Sequence, residues 1–259
     1  MKLNPLAFAF IALLSASSLH AQTTAAPAPA KPAAPAVKLP PQPPDVAAPK
    51  LGPDGQPNAG FIKSHENFVA TAKKGEAQLV FLGDSITAGW GGNGKEVWAK
   101  SFSQYKPANF GIGGDRTQHV LWRIENGELE GIKPKAAVVM IGTNNSGSDP
   151  AEGIAKGVTK IVETIRAKSP ATKILLLAVF PRGEKASPNP AREKLSQVNA
   201  IISKLDDGKH IFFLDIGGKF MEPDGSLTKE IMPDFLHLTA KGYQIWADAI
   251  SSKLAELMK

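Results

Sequence analysis

Five short apolar runs set the limits on what this chain can fold into. They are QLVFLG (78–83), a weaker PANFG (107–111), AAVVMIG (136–142), KILLLAVF (173–180) and HIFFLDI (210–216). These near-continuous runs read as strands buried on both faces, as in a parallel sheet. Segments with helical spacing and start signals separate them. Asp149-Pro150-Ala151-Glu152 supplies a capping residue, a proline at the first helical position and an acid in the first turn. Asn189-Pro190 opens the next helix in the same way, and Thr239 caps the last, with Ile245, Ala249, Leu254 and Leu257 as its apolar face. The alternation predicts an α/β protein: a three-layer α/β/α sandwich around a five-stranded parallel sheet in flavodoxin-like order.

The N-terminal part has a different character. Residues 1–21 read as a secretory signal peptide, with Lys2 as the positive start, Leu6 to Leu14 as the apolar stretch and Ser15 to Ala21 as the small-residue end. That stretch is far shorter than the about 20 residues a bilayer-spanning helix needs. No later stretch is long enough either, so the expectation is an exported protein, periplasmic or secreted, without a transmembrane segment. Residues 22–58 are Ala- and Pro-rich, without an aromatic residue, and read as a disordered spacer of polyproline II character. The folded domain is then 59–259. Cysteine is absent, which excludes a lipoprotein anchor, a thiol nucleophile and a cysteine-ligated metal. The net charge of +6 invites a nucleic-acid reading, but the lysines are scattered and no basic run alternates with aromatics. A solvated basic surface accounts for it, with no nucleic-acid partner.

Open parallel sheets carry their sites at the carboxyl ends of the strands, so the residues there matter most. The first run leads into Gly83-Asp84-Ser85-Ile86-Thr87, where Ser85 is either an exposed nucleophile or a helix cap. It is not the G-x-S-x-G elbow, because position 87 is threonine. The second run ends in a glycine-rich turn, Gly111-Ile112-Gly113-Gly114-Asp115. Arg116 stands where a dinucleotide loop needs glycine, leaving either an oxyanion-binding turn or a tight turn requiring positive φ. Asn144 and Asn145 follow the third run, as amide donors or as turn residues. Asp234 lies three residues before His237, a spacing that lets a carboxylate orient an imidazole but that also occurs structurally. Asp84 reads as a brace for the turn. His65, His119 and His210 read as surface or structural, without a carboxylate at matching spacing. Trp122 and Arg123 read as part of a helix packed on the sheet, and Arg182 as lining the cleft or forming an ion pair.

Taken together, the serine, glycine, asparagine and histidine blocks resemble the GDSL/SGNH hydrolase superfamily, represented here by Ser85, Gly114, Asn144 and His237. The chain is similar in particular to the catalytic-subunit family of platelet-activating-factor acetylhydrolase Ib and its bacterial relatives. The segments that carry the likeness are NFGIGGDRTQHVLWRIENGELEGIKPK (109–135), GTNN (142–145), FPRG (180–183), NPAREKLSQVN (189–199) and DFLHLTAKGY (234–243). The resemblance implies the SGNH fold and a serine esterase in which Ser85, Asp234 and His237 form the catalytic triad. Its oxyanion donors would be the N–H of Ser85, the N–H of Gly114 and the side-chain amide of Asn144. Gly114 is chosen over Gly113 because the family's glycine directly precedes the aspartate of its block, here Asp115. No metal or organic cofactor is implied. The resemblance points to acetyl-type esters, and the export reading favours acetylated carbohydrate over phospholipid-like esters. A sugar O-acetyltransferase is a further alternative, and a non-catalytic glycan-binding module is disfavoured by the complete residue set. The related subunits form dimers, so a homodimer is a possible carry-over.

Overall fold

The computed structural model describes residues 39–259. In chain order the elements are α1 (Ala59–Lys73), β1 (Leu79–Gly83), α2 (Ser85–Ala88), α3 (Lys95–Phe102), β2 (Pro107–Gly111), α4 (Thr117–Arg123), β3 (Ala136–Met140), α5 (Ala151–Lys168), β4 (Lys173–Leu177), α6 (Pro190–Ile202), β5 (Ile211–Leu214) and α7 (Ala240–Leu257). The strands form one parallel sheet in the order β2-β1-β3-β4-β5, as expected, with Leu79 opposite Pro107 on one side and Ala136 on the other. Helices cover both sides. On one side α5 packs between α4 and α6, and elsewhere α3 packs against α7.

β1 and β3 are buried at every position, as a central parallel strand requires. The edge strands β2 and β5 are only partly covered, because each has a neighbour on one side alone. A cluster of rings fills the core beside β1: Phe81, Trp90, Phe102, Tyr243 and Trp246, with the Trp90 and Tyr243 centroids 4.5 Å apart.

Two helix starts follow the sequence. Asn189 accepts the Arg192 N–H at 3.0 Å with Pro190 in the first turn, and Thr239 accepts the Gly242 N–H at 3.2 Å. The third does not. Pro150, not Asp149, occupies the cap of α5, and the Asp149 carboxylate instead accepts from the Asn145 amide at 3.0 Å. The inner face of α7 also differs from expectation. Tyr243, Trp246, Ala247, Ile250, Leu254 and Leu257 are buried, while Ile245 and Ala249 sit at the partly covered margin. The large rings at 243 and 246 fill more core volume than Ile245 would, and they set the rotation of the helix.

The spacer expected over 22–58 is overturned in its second half. Residues 39–58 lie along the domain as a strap. Thr117 Oγ donates to the Pro44 carbonyl at 2.8 Å, Gln118 Nε2 to the Gln42 carbonyl at 3.0 Å, and the Ala48 N–H to the Gln118 carbonyl at 3.2 Å. The physical reason is complementary. Proline-rich backbone has carbonyls with no partners of their own, and the buried polar side chains at the start of α4 need acceptors. The reading of residues 1–21 as a signal peptide, and the first part of the spacer, lie outside the described residues. Among the described residues no helix is long and apolar enough to cross a membrane.

Candidate active site

β1 delivers Ser85 to the carboxyl edge of the sheet. Gly83, the last strand residue, must be glycine, because a Cβ there would overlap the Thr87 hydroxyl and the Met140 carbonyl. Asp84 follows, fully buried, and caps the short helix α2 by accepting the Ile86 N–H at 2.9 Å. That cap, the bracing role expected of Asp84, leaves Ser85 as the first helical residue, facing out of the sheet.

His237 reaches Ser85 from the segment between β5 and α7. Ser85 Oγ lies 2.8 Å from His237 Nε2, and His237 Nδ1 lies 2.6 Å from Asp234 Oδ2. The second carboxylate oxygen, Oδ1, accepts the backbone N–H groups of Leu236 at 3.1 Å and of His237 at 2.8 Å. Partial burial works to raise the Asp234 pKa. The ring and backbone N–H groups of His237 outweigh it and hold the carboxyl below its ordinary range. Between the two residues, Phe235 adopts φ +57°, a conformation that costs of order 1–3 kcal/mol in a non-glycine residue. Its backbone is tied at both ends, the N–H to the Met232 carbonyl at 2.9 Å and the carbonyl to the Gly183 N–H at 2.8 Å.

Facing this pair are the turn after β2 and the loop after β3. Gly114 has φ +71°, which favours glycine. Among the described residues, neither the Ser85 N–H nor the Gly114 N–H donates a hydrogen bond. Asn144 Nδ2 donates to the Asp115 carbonyl at 2.8 Å and leans on Asp84 Oδ2 at 3.4 Å, so the amide bridges the two strand-end turns. Its neighbour Asn145 is a structural residue, accepting the Thr117 N–H at 3.0 Å and donating to Gln118. Among the described residues Arg182 forms no ion pair. It donates to the Thr143 carbonyl at 3.1 Å and hydroxyl at 3.2 Å, fixing the loop that carries Asn144.

The five residues singled out from sequence, Ser85, Gly114, Asn144, Asp234 and His237, thus belong to one edge of the sheet. The histidines read as structural fall elsewhere, with one correction. His210 does have a carboxylate at matching spacing: Asp207 lies three residues before it, with Nδ1 and Oδ2 3.9 Å apart. That pair precedes β5, at the opposite end of the sheet. Asp207 Oδ1 accepts the N–H groups of Ile211, His210 and Lys209, which hold its pKa down at about 2. A cavity of about 550 Å³ opens past β4 and β5, lined by Val179, Pro181, Arg192, Phe213 and Met221, and none of the five residues contributes to it.

Beneath the site lies a buried ionic cluster that sequence reasoning missed. Arg123 is fully buried and donates through Nε to Asp115 Oδ2 at 3.0 Å, through Nη1 to Glu128, and through Nη2 to the Gly83 carbonyl at 3.3 Å. Lys50, from the strap, reaches Asp115 Oδ1 at 3.4 Å. No motif announces these partners, since Asp115, Arg123 and Glu128 share no helical face and Lys50 is remote in sequence.

The family model described as GDSL-like lipase/acylhydrolase matches residues 81–245, more than half of the chain. The chain belongs to that family. Among related GDSL-type proteins, platelet-activating factor acetylhydrolase IB subunit alpha2 of Rattus norvegicus is 43% identical over 199 residues, covering 76% of this chain and 85% of the relative. Subunit alpha1 of Homo sapiens is 41% identical over 206 residues, covering 79% and 87%. A GDSL-like lipase from Bacteroides thetaiotaomicron superposes with a TM-score of 0.60 at 20% identity, over 74% of this chain and 97% of that one. A carbohydrate acetylesterase from Sinorhizobium meliloti does so with a TM-score of 0.54 at 20% identity, over 70% and 99%. At that identity the two structures speak for the GDSL fold alone.

The buried acids give this GDSL hydrolase a pH signature. Burial pushes Asp84 up to about 7, against the Ile86 N–H that lowers it, and burial likewise pushes Asp115 up to about 6. A carboxyl raised in the folded state contributes stability that is full below its unfolded pKa and is lost as pH climbs through the folded one. His119, held down at about 3 by burial, acts in the opposite sense over the same range, and the two acids outnumber it. Stability is therefore expected to fall between pH 5 and 8, and Asp84→Asn, a neutral isostere, is expected to flatten the fall. The flattening should amount to about 2 kcal/mol, or roughly 4–8 °C in Tm. Thermal melts at the two pH values check it; an unaltered pH dependence in the variant would show that Asp84 does not carry the effect.

Proposed function

We propose that this protein is a serine esterase that hydrolyses short-chain, acetyl-type esters through an acyl-enzyme. The observation that carries the proposal is the continuous hydrogen-bonded chain Ser85–His237–Asp234, set beside the unbonded N–H groups of Ser85 and Gly114. Ser85 Oγ attacks the ester carbonyl while His237 Nε2 takes its proton and passes it to the leaving alcohol. Asp234 holds the imidazole with Nδ1 protonated and stabilises the imidazolium. The tetrahedral oxyanion is received by the N–H groups of Ser85 and Gly114 and by Asn144 Nδ2, whose weak 3.4 Å contact with Asp84 is the one released. Water then repeats the sequence on the acyl-enzyme.

The acetyl preference is supported by relatives at 41–43% identity that are named acetylhydrolases. Acetylated carbohydrate is the favoured alcohol side. The His237 and Asp234 side chains are 44% and 55% exposed, which suits a bulky, hydroxyl-rich leaving group. The reading of residues 1–21 as an export signal supports a periplasmic or secreted enzyme that meets such material. The relatives' name favours a second reading, a phospholipid-like acetyl ester.

The test is acetate release from p-nitrophenyl acetate and acetylated xylan by wild type and Ser85→Ala, with p-nitrophenyl decanoate as the long-chain control. Loss of both activities in a folded variant, with decanoate a poor substrate, is the expected result. Turnover of the small acetate ester alone would move the substrate to the lipid-like class. Full activity in Ser85→Ala would end the serine mechanism, and equal turnover of decanoate would end the acetyl preference.

A further inference from the structure

The two glycines that form the turn after β2 are exposed, and glycine backbone has the largest conformational freedom to lose. A donor carried on such a turn is useful for catalysis only if something outside the turn fixes it. The structure supplies one candidate. Lys50 Nζ donates to the Gly113 carbonyl at 2.5 Å. That carbonyl and the Gly114 N–H belong to the same peptide unit, and in a trans peptide they point in opposite directions. Anchoring the oxygen on one side therefore aims the N–H on the other, and a cation on the oxygen polarises the N–H as well. A Cβ at Gly114 would lie 3.2 Å from Lys50 Nζ, so the ammonium fills the space beside the turn where a side chain would stand.

Lys50 is itself held. Its carbonyl accepts the Asn58 N–H at 2.7 Å, Leu51 bridges to Pro57, and the strap before it is bonded to Thr117 and Gln118. Its Nζ also reaches Asp115 Oδ1, on the residue whose carbonyl holds Asn144. One side chain from the Pro-rich segment thus touches the supports of two of the three candidate oxyanion donors.

We propose that Lys50 is a positioning residue for this site: by holding the Gly113 carbonyl it aims the Gly114 N–H at the oxyanion, which makes the strap at residues 39–58 part of the catalytic apparatus. The inference rests on the serine-esterase reading above. In the full chain, Lys50→Met is expected to lower kcat on p-nitrophenyl acetate about ten- to a hundred-fold, the scale of loss that follows from misplacing a catalytic group. KM should change little, because the lost interaction is made in the transition state. Inactivation by an alkylphosphonate ester, which places a comparable oxygen in the same position, should slow by a similar factor. Lys50→Arg, which keeps the charge and the donors, should recover most of both rates.

A merely structural lysine would give another pattern: a lower Tm in Lys50→Met with kcat and phosphonylation per folded molecule at wild-type values. That result would overturn the inference. Should Lys50→Met fail to fold, Lys50→Gln, one atom too short to reach Gly113, carries the same expectation, and wild-type kcat in it overturns the inference equally. Ser85→Ala is measured alongside. If it stays active, the esterase reading and this inference fall together. If it is inactive while Lys50→Met turns over at the wild-type rate, only the inference falls.

Discussion

Replacing His237 by alanine is expected to lower esterase kcat by about 10⁴- to 10⁶-fold, the range seen when the base of a serine hydrolase is removed. The reason lies in the bond between Ser85 Oγ and His237 Nε2: without it the hydroxyl must shed its proton to water at neutral pH. Asp234→Asn is expected to cost less, about 10²- to 10⁴-fold. The amide oxygen can still receive the Leu236 and His237 N–H groups, so the loop keeps its shape, but the atom facing Nδ1 becomes a donor and favours the wrong tautomer. The exposure of this pair lets water replace part of what the carboxylate does, which sets the smaller loss. The decisive comparison is the double variant Ser85→Ala/His237→Ala. Residues that act as one unit lose their contribution together, so kcat of the double variant should fall no further than that of the worse single. Independent, multiplying losses would mean that the two residues do not work as nucleophile and base.

How far the sequence led can be judged from particular residues. The strands were legible because a parallel strand inside the sheet must be apolar at nearly every position, as β1 and β3 are, while the edge strand β2, covered on one side alone, gives the weakest run. Each of these runs ends where an open sheet gathers its sites, which made Ser85, the glycine turn, Asn144 and His237 candidates, and the resemblance to the GDSL/SGNH family then singled out Ser85, Gly114, Asn144 and His237 among them. Spacing alone had less power. Asp207 and His210 share the spacing of Asp234 and His237, and what separates them is that one pair precedes a strand and the other follows it. The strap was illegible for a physical reason. Its composition cannot make a core, yet it does not need one, because its carbonyls bind polar side chains that another segment has buried. Such docking depends on the partner surface, which the segment's own residues do not encode. The same holds for Arg182 and Lys50, whose partners are backbone carbonyls contributed by other loops.

The largest loss of stability is expected from Arg123→Met. The guanidinium is enclosed completely and answers to three groups at once, the carboxylates of Asp115 and Glu128 and the carbonyl of Gly83, with the Phe68 ring 5.7 Å from its carbon. Removing it strands two buried carboxylates, and breaking a buried pair in this way costs about 3–5 kcal/mol. For a domain of this size that corresponds to roughly 10 °C or more in Tm. Lysine should not rescue it, because a single ammonium cannot span three acceptors that a planar fork of five donors reaches together. The deficit should also depend on pH. Without the cation, which in the wild type works to lower it, the raised folded-state pKa of Asp115 climbs further, so the variant regains stability as pH falls and loses it as pH climbs. Melts at pH 5 and pH 8 should therefore show the larger gap from wild type at pH 8. A loss confined to stability would make the cluster a foundation and nothing more. The Asp115 carbonyl, however, receives Asn144, and the Gly83 carbonyl ends the strand that presents Ser85. Assayed well below its Tm, Arg123→Met should accordingly show a reduced kcat as well; wild-type kcat in the folded variant would separate the support of the fold from the alignment of the site.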